Sequence, residues 1–222
     1  MLGLFLYIEA INILNHFLSN STIMAGILDL LSSDLGKTII SGVSGQTGQS
    51  ESKTGSVLTM ALPVLMQAMK KNSTSPQGAE GLMNALNGKH DGSILNNLGD
   101  LFSGGVDTSV IDDGSKILGK VLGNKDQNVT KALSLKSGVN SRSVSQMLKV
   151  AAPILMGVLG KQSRQQNMSN ASGVEGLLGS FLDGNSKQSE QSFLESMLDA
   201  DGDGSIIDDV AGMVLGGSKK KS

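Results

Sequence analysis

Three aspartates occupy alternate positions near the end of the chain, in Asp199-Ala200-Asp201-Gly202-Asp203-Gly204-Ser205-Ile206-Ile207-Asp208-Asp209. Such alternation can bring several carboxylates to one hard cation, and a glycine in sixth place, here Gly204, permits the sharp turn of a calcium loop. The ninth and twelfth places break the pattern. They hold Ile207 and Val210, where the loop needs a polar ligand and a bidentate glutamate, so Asp208 or Asp209 must reach back to complete the set. The metal reading is an incomplete Ca2+ site of Asp199, Asp201, Asp203, Asp208 and Asp209. No other cofactor is expected.

The same stretch also reads as the start of a helix. Ser205 can accept from a first-turn N–H while Asp208, three residues on, answers as in a capping box, and both acids favour the positive end of the helix dipole. Two recurrences weigh on this side. Ser93-Ile94-Leu95-Asn96-Asn97 and Ser109-Val110-Ile111-Asp112-Asp113 keep the serine and its amide or acid pair. The places of Asp199 and Asp201 fall to Asn87 and Lys89 in the first recurrence, and a lysine repels a cation. The helix start is shared by three settings, and the carboxylate cluster belongs to the last alone.

Other chemistry finds little support. The 222 residues contain no Cys and only two His, His16 and His90, which removes thiol catalysis, disulfides and thiolate metal sites and fits a reducing, cytoplasmic setting. Neither histidine lies near a nucleophile turn of the Gly-x-Ser-x-Gly type. Paired carboxylates for sugar hydrolysis would lack aromatic rings to bind the sugar, since aromatics make up 3% of the chain. No glycine-rich segment ends in the Gly-Lys-Ser/Thr of a phosphate loop. With 18 Lys plus Arg against 20 Asp plus Glu, there is no basic footprint for nucleic acid. The composition points to a non-enzymatic structural or interaction module whose partner is a protein, a second copy of the chain included.

The elements that must position these residues are helices. A core of Leu, Ile, Val, Met and Ala without Trp favours helix over strand, and the 29 glycines fall largely in short spacers between helices. Residues 1–23 carry a narrow polar stripe of Glu9, Asn12, His16 and Ser19 on an apolar helix. They lack a basic leader, a cleavage site and lysines for a membrane surface, so neither a signal peptide nor a transmembrane segment is expected. Met24 reads as a natural chain start, and the stretch before it as an extension.

From Met24 onward an internal repeat governs the reading. Val57-Leu58-Thr59-Met60-Ala61-Leu62-Pro63-Val64-Leu65-Met66 returns as Met147-Leu148-Lys149-Val150-Ala151-Ala152-Pro153-Ile154-Leu155-Met156, with the prolines 90 positions apart. Gly78-Ala79-Glu80-Gly81-Leu82 returns as Gly173-Val174-Glu175-Gly176-Leu177, and Ser41-Gly42-Val43 pairs with Ser137-Gly138-Val139 as a turn. The expected architecture is all-α: two related multihelical repeats, 24–123 and 124–217, with a basic tail at 218–222. Each centres on a buried helix that kinks or restarts at its proline. Polar loops are expected at 71–77 and 162–171.

The ordered set His90-Asp91-Gly92-Ser93-Ile94-Leu95, then 114–125, then Ser137-Gly138-Val139 and 152–160 resembles the YidB-like family of bacterial proteins of unknown function, a DUF937-type domain. The resemblance runs from Met24 to about Gly217. It implies a bacterial, all-helical domain, and it carries no catalytic residues onto this chain.

Overall fold

Short polar side chains set the helix boundaries. Ser33, Ser50 and Ser75 each accept through Oγ from the backbone N–H three residues on, and Asn140 does so through Oδ1, satisfying donors that a helix start leaves without partners. In the computed structural model, which describes residues 26–168 and 171–183, all regular structure among those residues is helical. The helices are α1 (Ile27–Ser32), α2 (Asp34–Thr47), α3 (Glu51–Ser73) and α4 (Pro76–Asn87). After a 3-10 turn (Ser93–Asn97) come α5 (Leu98–Ser103) and α6 (Thr108–Leu122). A second 3-10 turn (Gly123–Lys125) leads to α7 (Asp126–Ser137), α8 (Ser141–Gln165) and α9 (Ala171–Asp183).

The prolines behave in an instructive way. Pro63 and Pro153 lie inside α3 and α8, each of which continues as one helix, so the chain does not restart at either. A proline offers no N–H to the carbonyl four residues back, which in α8 is the carbonyl of Lys149. Gly114 of α6 packs against that same oxygen, so closely that a Cβ there would overlap it. Only a glycine lets the Cα hydrogens approach a carbonyl in this way. Proline and glycine, far apart in sequence, are two halves of one helix crossing.

α8 is long and apolar enough to cross a membrane by length and composition, yet 83% of its apolar window is buried within the fold. Its apolarity serves the core. Around α3 and α8 the other helices pack in a shared way: α2, α7, α4 and α9 each touch both hubs. One hydrophobic cluster runs from Leu30 through Val57, Leu65, Leu118, Leu148 and Leu159 to Phe181. The two halves of the chain therefore share a core.

Three expectations are revised. Ser41-Gly42-Val43 is not a turn but the middle of α2, because Gly42 lies beneath the Phe102 ring, where a Cβ would overlap it, and Val43 is fully buried. The turn comes later, at Gly48, in the left-handed region at φ 64°, matching Gly138 at φ 67°. In each, a serine four residues before the glycine donates to the carbonyl after it, Ser44 to Gln49 and Ser134 to Val139. The polar stretch 71–77 is mostly helix, since α3 runs to Ser73 and Pro76 opens α4, while in 162–171 α8 runs to Gln165 before the expected connection begins with a turn at Gln166 and Asn167. Residues 1–23, the tail at 218–222 and the acidic stretch Asp199–Asp209 lie outside the described residues.

Candidate functional site

The three-fold serine motif can be followed in two of its settings, and in both the acid two residues before the serine accepts from its N–H, as the N-cap of α6 at Asp107 and from one residue before the cap at Asp91. Asp107 Oδ1 accepts from the Ser109 N–H at 2.7 Å, placing Ser109 inside α6 and not at its cap. Asp91 Oδ1 likewise accepts from the Ser93 N–H at 2.9 Å. The expected capping box of Ser93 with Asn96 or Ser109 with Asp112 gives way to Asp-x-Ser, since a carboxylate two residues back reaches the same N–H with a full charge. The Ser93 and Ser109 donors hold both aspartates below the usual carboxylate range, and the Arg164 guanidinium adds to the effect at Asp91. Asp203-Gly204-Ser205 has the same Asp-x-Ser pattern in sequence as Asp91-Gly92-Ser93 and Asp107-Thr108-Ser109. Asp199, Asp201, Asp203, Asp208 and Asp209 lie outside the described residues, among which no group of three or more His, Asp or Glu could hold a metal ion.

What the fold does assemble is a groove of about 960 Å3 between α4, α6 and the C-terminal end of α3. Its floor is apolar, from Met69, Leu82, Ala85, Ile117, Val121 and Met156, and its rim carries Lys71, Lys89, Lys116 and Lys120. α6 supplies two edges by helical spacing. Lys116 and Lys120 are one turn apart and exposed, while Ile117 and Val121, one position on, face inward. The far wall is pinned by Asn72, whose Nδ2 donates to the Lys120 carbonyl at 3.2 Å and the Val121 carbonyl at 3.0 Å. Those carbonyls belong to the last turn of α6, which has no helical donors of its own.

One carboxylate, Asp113, lies at the groove mouth, and it is already engaged. Lys89 Nζ is 2.6 Å from its Oδ1, and His90 Nε2 is 3.8 Å from Oδ2. Burial lowers the His90 pKa, Asp113 opposes that and Lys89 adds to it, so the imidazole is neutral at neutral pH. The backbone around His90 is held against α8: its carbonyl lies where a Cβ on Gly160 would overlap, and Ile94 lies against Gly157. Arg164 Nη2, 2.9 Å from Asp91 Oδ2, fastens the turn from the side. The result is a cationic rim over an apolar trough, suited to an occupant with acidic and apolar faces.

Sequence reasoning passed over Lys89, Lys116, Lys120 and Asp113. Lys116 and Lys120 left a trace in their spacing of four, but Lys89 joins them only because Asp113 draws it across from the end of α4.

The family model described as bacterial protein of unknown function, DUF937, matches residues 29–162. No curated protein matches the chain, and no solved structure does.

Proposed function

For this chain, which belongs to the DUF937 family of bacterial proteins of unknown function, we propose a binding role in place of a catalytic one. It is an interaction module, working in the bacterial cytoplasm, whose lysine-rimmed groove takes an acidic, amphipathic segment of a partner protein. The observation that carries this reading is the groove itself: four lysines around an apolar floor, with its single carboxylate paired to Lys89. The absence of cysteine supports the cytoplasmic setting.

The module is built, on this reading, from two related copies, each bent at its proline. Pro63 and Pro153, Gly48 and Gly138, and the caps Ser50 and Asn140 all pair at 90 positions. α2 and α7 each reach both hubs, as copies exchanged across a pseudo-twofold axis would.

The test is fluorescence anisotropy with a labelled helical peptide of alternating Leu and Glu faces. Binding is expected to weaken about tenfold or more in Lys116→Glu/Lys120→Glu, and a Leu/Lys peptide should not bind. Equal binding of both peptides, or binding unchanged by the charge reversal, rules the groove out.

A further inference from the structure

Asp113 serves two neighbours of unequal freedom. Lys89 Nζ lies 2.6 Å from its Oδ1 and His90 Nε2 lies 3.8 Å from its Oδ2, so the lysine holds the ion pair while the imidazole stands just beyond hydrogen-bond reach. The lysine side chain is 69% exposed, against 10% for His90 and 13% for Asp113. The backbone fixes the two buried partners further. The His90 N–H donates to the Ala85 carbonyl at 3.0 Å, and the His90 carbonyl packs on Gly160. Asp113 precedes Gly114, which is pressed on the Lys149 carbonyl. Lys89 is thus the member that can leave, and its departure strands a mostly buried carboxylate, which is costly unless another cation takes its place.

Resting on the groove reading above, we infer that Lys89 and Asp113 form a latch that an acidic partner opens with the help of a proton. The partner's carboxylate draws Lys89 off Asp113, His90 takes up one proton from solvent, and the groove therefore binds that partner more tightly in acid than at neutral pH. The added proton leaves both ring nitrogens as donors, so Nε2 gives an N–H to Asp113 Oδ2 in place of the lysine. Charges around His90 keep the latch shut while the groove is empty. Lys89 beside it, Lys71, Lys116 and Lys120 along the groove, and Lys161 of α8 next to Gly92 all oppose a proton there, while Arg164 is engaged by Asp91. Burial is the largest influence and lowers the His90 pKa, Asp113 raises it, and Lys89 lowers it again. A carboxylate seated over Lys89 cancels that last opposition and leaves Asp113 to the imidazole.

Anisotropy of the labelled Leu/Glu peptide with the full chain, at about pH 8 and about pH 5, where the glutamates stay largely ionised, gives the deciding ratio. Wild type should bind about fivefold or more tighter at the lower pH. By reciprocity the peptide-bound chain should hold the His90 proton more firmly by at least the same factor, read from the NMR titration of the imidazole Cε1 proton. That second measurement needs no variant. His90→Gln, Asp113→Asn and Lys89→Met should each bring the affinity ratio close to one. Asp113→Asn should also bind several-fold tighter than wild type at the higher pH, because its Lys89 is already released. A ratio kept in Lys89→Met means that a charged His90 attracts the peptide directly, and it overturns the latch, as does a His90 titration unmoved by bound peptide. Equal binding at both pH values removes the latch and leaves the groove. No binding at either pH removes the groove reading, and the latch with it.

Discussion

α3 and α8 present the same problem solved twice. Both are long helices with an interior proline at positions 90 apart, and both bury Leu, Val and Met of matching kind, with Leu58 and Leu148 fully enclosed. Yet α8 is walled continuously from Val150 to Gly160, whereas α3 breaks its buried run at Gln67 and Lys70. The difference lies in two residues. Where α8 has Gly157, which admits the Ile94 side chain, and Gly160, which admits the His90 backbone, α3 carries long polar side chains that keep a covering segment away. A single substitution type, glycine against a long polar residue, decides whether a hub takes its cover from a neighbouring loop or from its own side chains.

The largest effect should come from the buried leucines. Leu148→Ala and Leu58→Ala should each cost about 2–5 kcal/mol in urea unfolding. A single shared core requires one cooperative transition in both variants, and a biphasic curve in either would divide the hubs into separate units. Next comes the crossing found only on α8. Gly114→Ala should lose about 1–3 kcal/mol because the new methyl meets the Lys149 carbonyl. Gly119→Ala, one turn and a residue later with open space around it, should gain roughly 0.5–1 kcal/mol. If the two glycines respond alike in thermal melts, α6 does not dock as described.

A subtler difference appears on acidification. The folded His90 titrates below its ordinary value of 6.5, so its contribution to stability is complete above that value and is lost as pH falls below it. His90→Gln should flatten the decline of melting temperature that begins as pH falls below about 6.5, while the slope contributed by Asp91 and Asp107, whose lowered values act at still lower pH, persists. A decline left intact by the substitution would assign it elsewhere. The smallest expected effect is on calcium. Titration of the full chain, with Asp201→Ala as control, should give no saturable heat if Asp203 accepts from the Ser205 N–H as Asp91 and Asp107 do from their serines. Saturable binding abolished by Asp201→Ala would restore the metal reading.

Much of the helix inventory was legible because its signals are local. Interior prolines among continuous apolar residues mark the hubs, whereas Ser75-Pro76, read as part of a polar loop, carries the cap and first residue of α4. Two local features were open to closer reading. The spacing of 90 between prolines also joins Gly48 to Gly138, which identifies the true turn, while the match of Ser41-Gly42-Val43 to Ser137-Gly138-Val139 rested on residue identity alone. The aspartate two places before each recurring serine was equally visible. The groove was not legible, because its lysines come from three separate parts of the chain and its floor from four helices. Gly114 likewise gains its meaning only from Lys149, 35 positions later (149 − 114).

That last contact has a consequence for the order of events during synthesis. α6 is complete when residue 122 has been made, but the carbonyl it packs against belongs to a helix that ends at Gln165. At a ribosomal pace of about 5–20 residues per second, the face of α6 that packs on α8 waits several seconds for its partner helix. The two halves are thereby coupled in folding, since α6 gains its cover from α8 only once α8 has cleared the exit tunnel.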